Sequence, residues 1–396
     1  MKVSFISLGC AKNTVNAEQM MALCRDAGME LLSAPEGADV VVINTCGFID
    51  SAKSEAIDNI LAMAELKAEG QIGKILVTGC LSQRYKQEIL TELPEVDGVL
   101  GTGSYSEIVP ALHEVVSGGT PCRFGSIHAP VEELDRVLTT PPYIAYLRIA
   151  EGCDNHCAYC VIPSLRGKYR SRKMENVLAE AQKLANDGVK ELIIIAQDIT
   201  RYGIDLYGSK KLPALLRELC KMDFRWIRLH YLYPDEITDE LIDTIAEEPK
   251  ILPYLDIPIQ HCNDAVLKAM NRRNTKEELT ELFYTLRGRI DGLVLRTSLI
   301  TGLPFEDEDA FDELCSGYEV PNGKPAPDIY LYAAGRLGLK PEECLALEDS
   351  PAGIESACRA GCLPVMIPDQ DQPRERLLPM LYAKADSLTD VIDLLK

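Results

Sequence analysis

Residues 151–160 read EGCDNHCAYC and place Cys153, Cys157 and Cys160 in a C-x-x-x-C-x-x-C array directly behind an apolar run. Three thiolates at that spacing can ligate three irons of a 4Fe-4S cube and leave the fourth iron without a protein ligand. That open corner can take a small chelate, and S-adenosylmethionine (SAM) suits it through its amino and carboxylate groups. An electron from the cube can then split the sulfonium and release a carbon radical, with the cofactor supplying the hard step and the protein aiming it. Zinc would want a fourth ligand nearby. His156 stands too close to Cys157 for both to reach one metal easily, which leaves His128 or a distant cysteine for that role. Core cysteines would not fall at so regular a spacing, so the cluster is the preferred reading.

The run ahead of Cys153 is the first of five apolar segments, YIAYLRIA, ELIIIAQD, IRLHYLYP, YLDIPIQ and LVLRTSLITG, separated by helical stretches such as Met174 to Gly188 and Asp235 to Glu248. Repeated strand-helix units of this length predict a (β/α) barrel with its chemistry at the carboxyl ends of the strands. Gln197, Asp198, His230, Gln260, His261, Arg296 and Thr297 stand in or at the ends of those strands and are candidates to hold SAM or substrate. The basic run Arg166 to Lys173 reads equally as a solvated loop or as a grip for an acidic group.

Towards the N-terminus, VSFISL, VVVIN, KILVT and a short DGVLG alternate with helical patterns, the signature of a parallel sheet with crossover helices. Asn13 or Thr14 is a candidate cap for the first helix, with Gly28 closing it. A cysteine follows each of the first three strands: Cys10, Cys46 and Cys80. Parallel strands end on one edge, where ligands bind, so these distant thiols share a rim and form a second tri-thiolate site. Gly9, Gly47 and Gly79 would let a bulky cluster approach the backbone. Residues 119–142 are rich in turn formers and read as a linker, with His113 and His128 as surface or structural histidines.

A chain of 396 residues can hold two or three domains. It has no apolar run long enough to span a membrane and no secretory signal pattern at its start, so a cytoplasmic protein is expected. Cytosolic thiols stay reduced, which makes cluster binding the better use for the regularly placed cysteines. The other eight (Cys24, Cys122, Cys220, Cys262, Cys315, Cys344, Cys358 and Cys362) read as small buried hydrophobes. The net charge is -20, with 33 basic against 48 acidic residues up to Cys315 and 8 against 13 beyond it. That balance disfavours nucleic acid as a direct substrate and suits a basic protein partner.

LGCAKNTVNAE (Leu8 to Glu18), INTCGFIDSAKSEAI (Ile43 to Ile57), TGCLSQRY (Thr78 to Tyr85), IAEGCDNHCAYCVIPSLRGKYRSR (Ile149 to Arg172) and YLDIPIQHCND (Tyr254 to Asp264) resemble the methylthiotransferase branch of the radical SAM superfamily. More narrowly they resemble the RimO family, which modifies ribosomal protein S-twelve. The resemblance implies an N-terminal methylthiotransferase domain over 1–118, the linker 119–142 and a radical SAM barrel over 143–315. It implies two 4Fe-4S clusters: a SAM-cleaving one on Cys153, Cys157 and Cys160, and an auxiliary one on Cys10, Cys46 and Cys80 that carries the sulfur to be donated. One SAM methylates that sulfur; a second yields the radical that takes a hydrogen from the β-carbon of an aspartate in the small-subunit ribosomal protein. A flavodoxin- or ferredoxin-like protein would supply electrons. The tRNA-modifying MiaB branch shares both cysteine sets but usually lacks the continuation Gly47-Phe48-Ile49. It stands as the alternative, beside an inactive iron-sulfur-binding fusion. No catalytic side chain is singled out.

After Phe311-Asp-Glu-Leu-Cys315 this resemblance stops, without the sixth barrel strand or the small substrate-engaging β-domain of the family. The barrel is therefore expected to be incomplete, which stands to impair the activity. Phe305 stands where the family usually has glycine. Residues 316–396 resemble instead the second half of a haloacid-dehalogenase (HAD) phosphatase, with Lys324 at that family's phosphate-orienting lysine and Glu348 and Asp349 at its magnesium-binding pair. Asp307-Glu-Asp309 spells the family's DxD but follows a turn, so phosphatase activity is not expected. The tail strands CLALE and CLPVMIP are expected to cover the open barrel edge.

Overall fold

Largely buried apolar runs build parallel sheets covered on both faces, and two parallel sheets position both cysteine trios. The computed structural model describes residues 1–300, 302–303, 306, 315, 319–367 and 375–385. They divide into two compact units: Met1–Pro258 with Met270–Leu293, and Ile259–Ala269 with Val294–Lys396.

In the first unit, β1 (Lys2–Ser7), β2 (Glu30–Leu32), β3 (Val40–Thr45), β4 (Lys74–Gly79), β5 (Gly98–Leu100) and β6 (Cys122–Arg123) form a parallel sheet in the order β2-β1-β3-β4-β5-β6. The crossovers are α1 (Ala11–Asp26), α2 (Asp50–Ala68), α3 (Cys80–Tyr85) with α4 (Glu88–Glu92), and α5 (Ile108–Val116). Strand β3 is buried throughout, and its period of two feeds two cores. Val40 and Val42 join Met20, Ile108 and Leu112 on one face; Val41 and Ile43 join Ala56 and Ile60 on the other. The four predicted runs become β1, β3, β4 and β5. β2 and β6, of 3 and 2 residues, are too short to leave a pattern. Within the turn-rich segment 119–142, β6 extends the sheet beside β5, and the Thr139 N–H donates to Glu18 Oε1 at 2.8 Å.

Next come β7 (Ile144–Arg148), the antiparallel pair β8 (Ala150–Glu151) and β9 (Arg170–Ser171), then β10 (Glu191–Ile195), β11 (Trp226–His230) and β12 (Ile251–Asp256). The second parallel sheet runs β12-β11-β10-β7. Its helices are α6 (Ile162–Arg166), α7 (Met174–Asn186), α8 (Ile204–Tyr207), α9 (Leu212–Cys220) and α10 (Asp239–Glu247); α11 (Asp264–Ala269) belongs to the second unit, and α12 (Lys276–Arg289) returns to the first. The helix read from Asp235 starts at Asp239, because Pro234–Glu236 forms a separate 3-10 turn and Thr238 caps the helix by accepting from the Leu241 N–H.

Helix α1 serves both sheets: Met20 and Cys24 pack on the first, and Val15 packs on Ile193 and Ile195 of the second. It begins at Ala11 with Cys10 as N-cap, three or four residues ahead of the caps expected from sequence, and Asn13 lies inside it with its side chain buried.

In the second unit Gln260 bridges Leu299 in parallel, near β13 (Val294–Arg296). Farther on lie α13 (Asp328–Arg336), β14 (Leu345–Glu348), α14 (Pro351–Ala360), β15 (Leu363–Met366) and β16 (Ala383–Lys384). CLALE and CLPVMIP, expected to cover the barrel edge, pair with each other, Leu345 opposite Leu363 and Glu348 opposite Met366, and β16 completes a parallel sheet of their own. A strand-helix-strand unit satisfies its own inner edge. Phe305, Asp307, Asp309 and Ser316 lie outside the described residues. Of the eight cysteines read as buried, Cys24, Cys220 and Cys362 are, while Cys262 is exposed on the polar turn ahead of α11.

Candidate metal centres

Cys10, Cys46 and Cys80 follow three neighbouring strands, β1, β3 and β4, and so stand along one stretch of the carboxyl rim. The glycines beside them are required by the strand ends themselves. A β-carbon on Gly9 (φ +87°) would come 2.7 Å from Cys46 Cβ, and one on Gly47 would come 2.9 Å from the Leu81 backbone nitrogen. The Asn13 side chain ties these loops together, its Nδ2 donating to Leu8 O at 2.9 Å and to Thr45 O at 3.0 Å, while Asn44 Nδ2 donates to Asn13 O at 2.8 Å. Desolvation works against charge on Cys10, but Lys12, Arg166 and the N–H groups of Asn13 and Lys12 outweigh it and hold the thiol below its usual range. Burial raises the pKa of Cys46, and like charge on Cys80 and Cys10 adds to the rise; these three sulfurs are near enough to feel one another.

Cys153, Cys157 and Cys160 occupy the loop between β8 and α6, each half-buried. The Cys153 N–H donates to Gly167 O at 3.1 Å, and the Cys160 N–H to Cys157 O at 2.9 Å. The loop is pinned from outside by the Ala158 N–H to Met270 O at 2.9 Å and by Asn271 Nδ2 to His156 O at 2.9 Å. Arg272 Nη1 lies 3.8 Å from Cys157 Sγ, and the Tyr233 hydroxyl lies 3.7 Å from the same sulfur. The Arg272 guanidinium stacks 4.0 Å over the Tyr233 ring. Burial pushes the Cys153 thiol up to about 12, with Asp198, Cys160 and Cys157 adding to the rise. A cluster seated here would displace those protons on binding. Arg272 and Tyr233 escaped the sequence reading: Arg272 belongs to the polar turn Asn271-Arg272-Arg273-Asn274, whose composition says loop and nothing more.

Among the described residues no three Cys, His, Asp or Glu side chains converge on a single-ion position. A zinc site needs four donors around one ion. A cube asks for less convergence, since each thiolate takes a different iron. Two groups of three thiols, one on neighbouring strand ends and one on a pinned loop, are consistent with cubes.

Of the polar strand-end candidates, Gln197, Asp198 and His230 share a unit with both trios, while Gln260, His261, Arg296 and Thr297 belong to the other. Gln197 Nε2 donates to Glu151 Oε1 at 2.7 Å, and Asp198 Oδ2 accepts from Asn155 Nδ2 at 3.2 Å, so both steady the cysteine loop. His261 Nε2 faces Glu306 Oε1 at 3.2 Å. The basic run divides: Lys168 and Lys173 are exposed, while its buried arginines grip acidic side chains of the chain itself. Arg166 and Arg172 are 3% and 7% exposed, Arg172 pairing with Glu133 and Glu180 and Arg166 with Glu151 at 3.4 Å. Burial of Glu151 is outweighed by Arg166 and Arg148, which bring its carboxyl down to about 2. In the tail, Lys324 and the Tyr330 hydroxyl both meet Glu348, and Ser350 Oγ lies 3.2 Å from the same carboxylate.

Residues 2–101 match the uncharacterized protein family UPF0004, residues 147–316 the radical SAM superfamily, and residues 302–361 the haloacid dehalogenase-like hydrolases. The ribosomal protein uS12 methylthiotransferase RimO of Clostridioides difficile is 50% identical over 316 residues, 79% of this chain and 71% of that protein. The RimO of Lachnoclostridium phytofermentans is 53% identical over 311 residues, 78% of this chain and 71% of that protein. Among solved structures, the radical SAM methyltransferase TsrM of Kitasatospora setae, with cobalamin and a 4Fe-4S cluster bound, superposes with a TM-score of 0.57 at 13% identity, covering 78% of this chain and 68% of that one. That likeness speaks to the fold alone.

Proposed function

The chain belongs to the RimO family of ribosomal protein uS12 methylthiotransferases, and from that premise we propose that it adds a methylthio group to the β-carbon of an aspartate in that small-subunit protein. The reading assigns Cys10, Cys46 and Cys80 to an auxiliary 4Fe-4S cluster and Cys153, Cys157 and Cys160 to the one that cleaves SAM. It assigns the auxiliary cluster to a methylthiotransferase domain over 1–118 and the SAM-cleaving one to a partial barrel over 143–315, with 119–142 between them and a HAD-like segment over 316–396. The single observation that carries it is that three thiols follow three adjacent strands onto one rim, ahead of a second trio on one loop.

When bound, the clusters supply the electron that cleaves SAM and the sulfur that is donated. The chain's own residues hold and exclude. Asn13 fixes the strand-end loops, Asn155 and Gln197 brace the second loop through Asp198 and Glu151, and Arg272 lays a positive charge beside Cys157. An unactivated C–H bond offers little acid-base handle, which is why a radical is required, and a barrel mouth covered by the bound substrate would keep water from it. The net charge of -20 suits a basic ribosomal protein as substrate. A flavodoxin- or ferredoxin-like protein is the proposed electron donor.

Anaerobic reconstitution with iron and sulfide counting tests the cluster assignment. The wild type should bind about eight irons, and the chain with Cys153→Ala, Cys157→Ala and Cys160→Ala about four. With SAM, a reductant and uS12, the wild type should add one methylthio mass to the protein. A mass shift on tRNA in its place would move the assignment to the nucleic-acid branch. Iron binding without SAM cleavage would leave an inactive cluster protein.

A further inference from the structure

Arg166 closes α6, six residues past Cys160, yet its guanidinium lies among residues of the other trio. It is 3% exposed. One terminal nitrogen, Nη2, donates to Asn13 Oδ1 and stands 3.3 Å from Cys80 Sγ. The other, Nη1, donates to Asn16 Oδ1 at 2.8 Å and faces Glu151 Oε2 at 3.4 Å. Asn13 in turn holds the carbonyls of Leu8 and Thr45, on the segments that lead to Cys10 and Cys46. Glu151 lies two residues ahead of Cys153, where Arg148 Nη1 also donates to it at 3.0 Å. A single planar fork is thus fixed between the strand ends of the first trio and the loop of the second, a geometry that a lysine cannot reproduce.

We propose that Arg166 is a positioning residue for the auxiliary cluster: it aims a hydrogen bond and a fixed positive charge at the sulfur of Cys80 and so sets the reduction potential of a cluster held by Cys10, Cys46 and Cys80. This assignment rests on the reading that the first trio holds a 4Fe-4S cluster. Hydrogen bonds to ligand sulfur and nearby positive charge favour the more negative, reduced form of a cluster and raise its potential. Removing the guanidinium lowers it. Asn16 and Glu151 are the residues that aim the fork, which is why the sequence places a buried arginine in a run that otherwise reads as surface.

The test uses the full chain carrying Cys153→Ala, Cys157→Ala and Cys160→Ala, which leaves the first trio alone to hold iron. It is reconstituted anaerobically and titrated with a reductant under electron paramagnetic resonance, beside the same chain with Arg166→Gln or Arg166→Lys added. About four irons per chain are expected in each, with the midpoint potential most negative for Arg166→Gln and intermediate for Arg166→Lys. Equal potentials in the three chains overturn the role of Arg166 while the cluster reading stands. A parent chain that binds no iron overturns the cluster reading, and the assignment falls with it. Should Arg166→Gln fail to fold by circular dichroism, Arg166→Lys decides alone: a lowered potential supports the assignment and an unchanged one overturns it.

Discussion

Gly79 has φ +98°, and a β-carbon there would collide with the Thr45 carbonyl oxygen and come 2.6 Å from Asn44 Oδ1. Both the left-handed backbone and the missing room oppose any side chain, so Gly79→Ala should cost about 2–4 kcal/mol, read as a lower denaturant midpoint at unchanged slope. The presence of a small residue beside each cysteine was legible in the sequence, but its cause was not. The strand ends press on one another, and a single sequence does not show which loops will be neighbours. Asp97 is a second case. Burial raises its pKa, but hydrogen bonds from Lys67 and Lys74 and from the Ile75 N–H outweigh that and leave it below the ordinary carboxylate value. The carboxyl is 13% exposed and lies 2.5 Å from Lys67 Nζ and 2.8 Å from Lys74 Nζ. With the folded pKa depressed, the stabilisation is present above the unfolded value of about 4 and is lost as pH falls through the folded one. Asp97→Asn should lose about 1–2 kcal/mol at neutral pH and approach the wild type as pH falls through the folded pKa of Asp97; a pH-independent difference in urea melts would show that charge is not the cause.

At the scale of elements, the strands were the legible part, because a parallel strand covered on both faces leaves a run such as VVVIN that few other structures produce. Helix α1 was harder to read. It is buried against two sheets at once, and its hidden face includes Asn13, Asn16, Glu18 and Gln19 as well as Val15 and Met20, so the usual apolar stripe is diluted. Its polar residues are nonetheless committed: Glu18 takes the Thr139 N–H and Arg136, and Gln19 takes Arg148 Nη2 at 2.9 Å. Asn13→Ala removes the donor to two loop carbonyls and the acceptor for Arg166. It should destabilise the fold by about 2–3 kcal/mol, since each partner is left buried and unsatisfied. Because the loops carrying Cys10 and Cys46 lose a common tether, iron retention after gel filtration should fall in this variant more than in an equally destabilised one with a change in the core of α5, such as Leu112→Ala. Equal loss in the two would reduce Asn13 to a stability residue.

For the molecule as a whole, the two trios stand in one compact unit, which a sequence with 119–142 reading as linker did not suggest. Among the contacts that join the two sheets are side chains of α1 meeting residues more than a hundred positions away, such as Val15 on Ile193 and Asn16 on Arg166; no local pattern encodes them. The tail was legible in outline as a strand-helix-strand segment, and in it Lys324 meets Glu348. The fate of its strands was not, because CLALE and CLPVMIP carry no mark of which edge they will choose. Their choice of each other has a thermodynamic consequence. The cores around them are small, one of Ala346, Ala357, Ala360 and Cys362, another of Ile354, Met366 and Leu377, whereas each face of the N-terminal sheet buries thirteen side chains. Hydrophobic stabilisation scales with the apolar area removed from water, so among the described residues the tail holds less of it, and the tail is expected to open first. Scanning calorimetry of the full chain is expected to resolve two transitions, the lower with the smaller enthalpy. Ala357→Asp, which puts an unpaired charge into a fully buried position of the tail, should move the lower transition alone. A single transition that shifts as one with Ala357→Asp would mean that the units unfold together and that the tail, in spite of its small cores, is part of the cooperative fold.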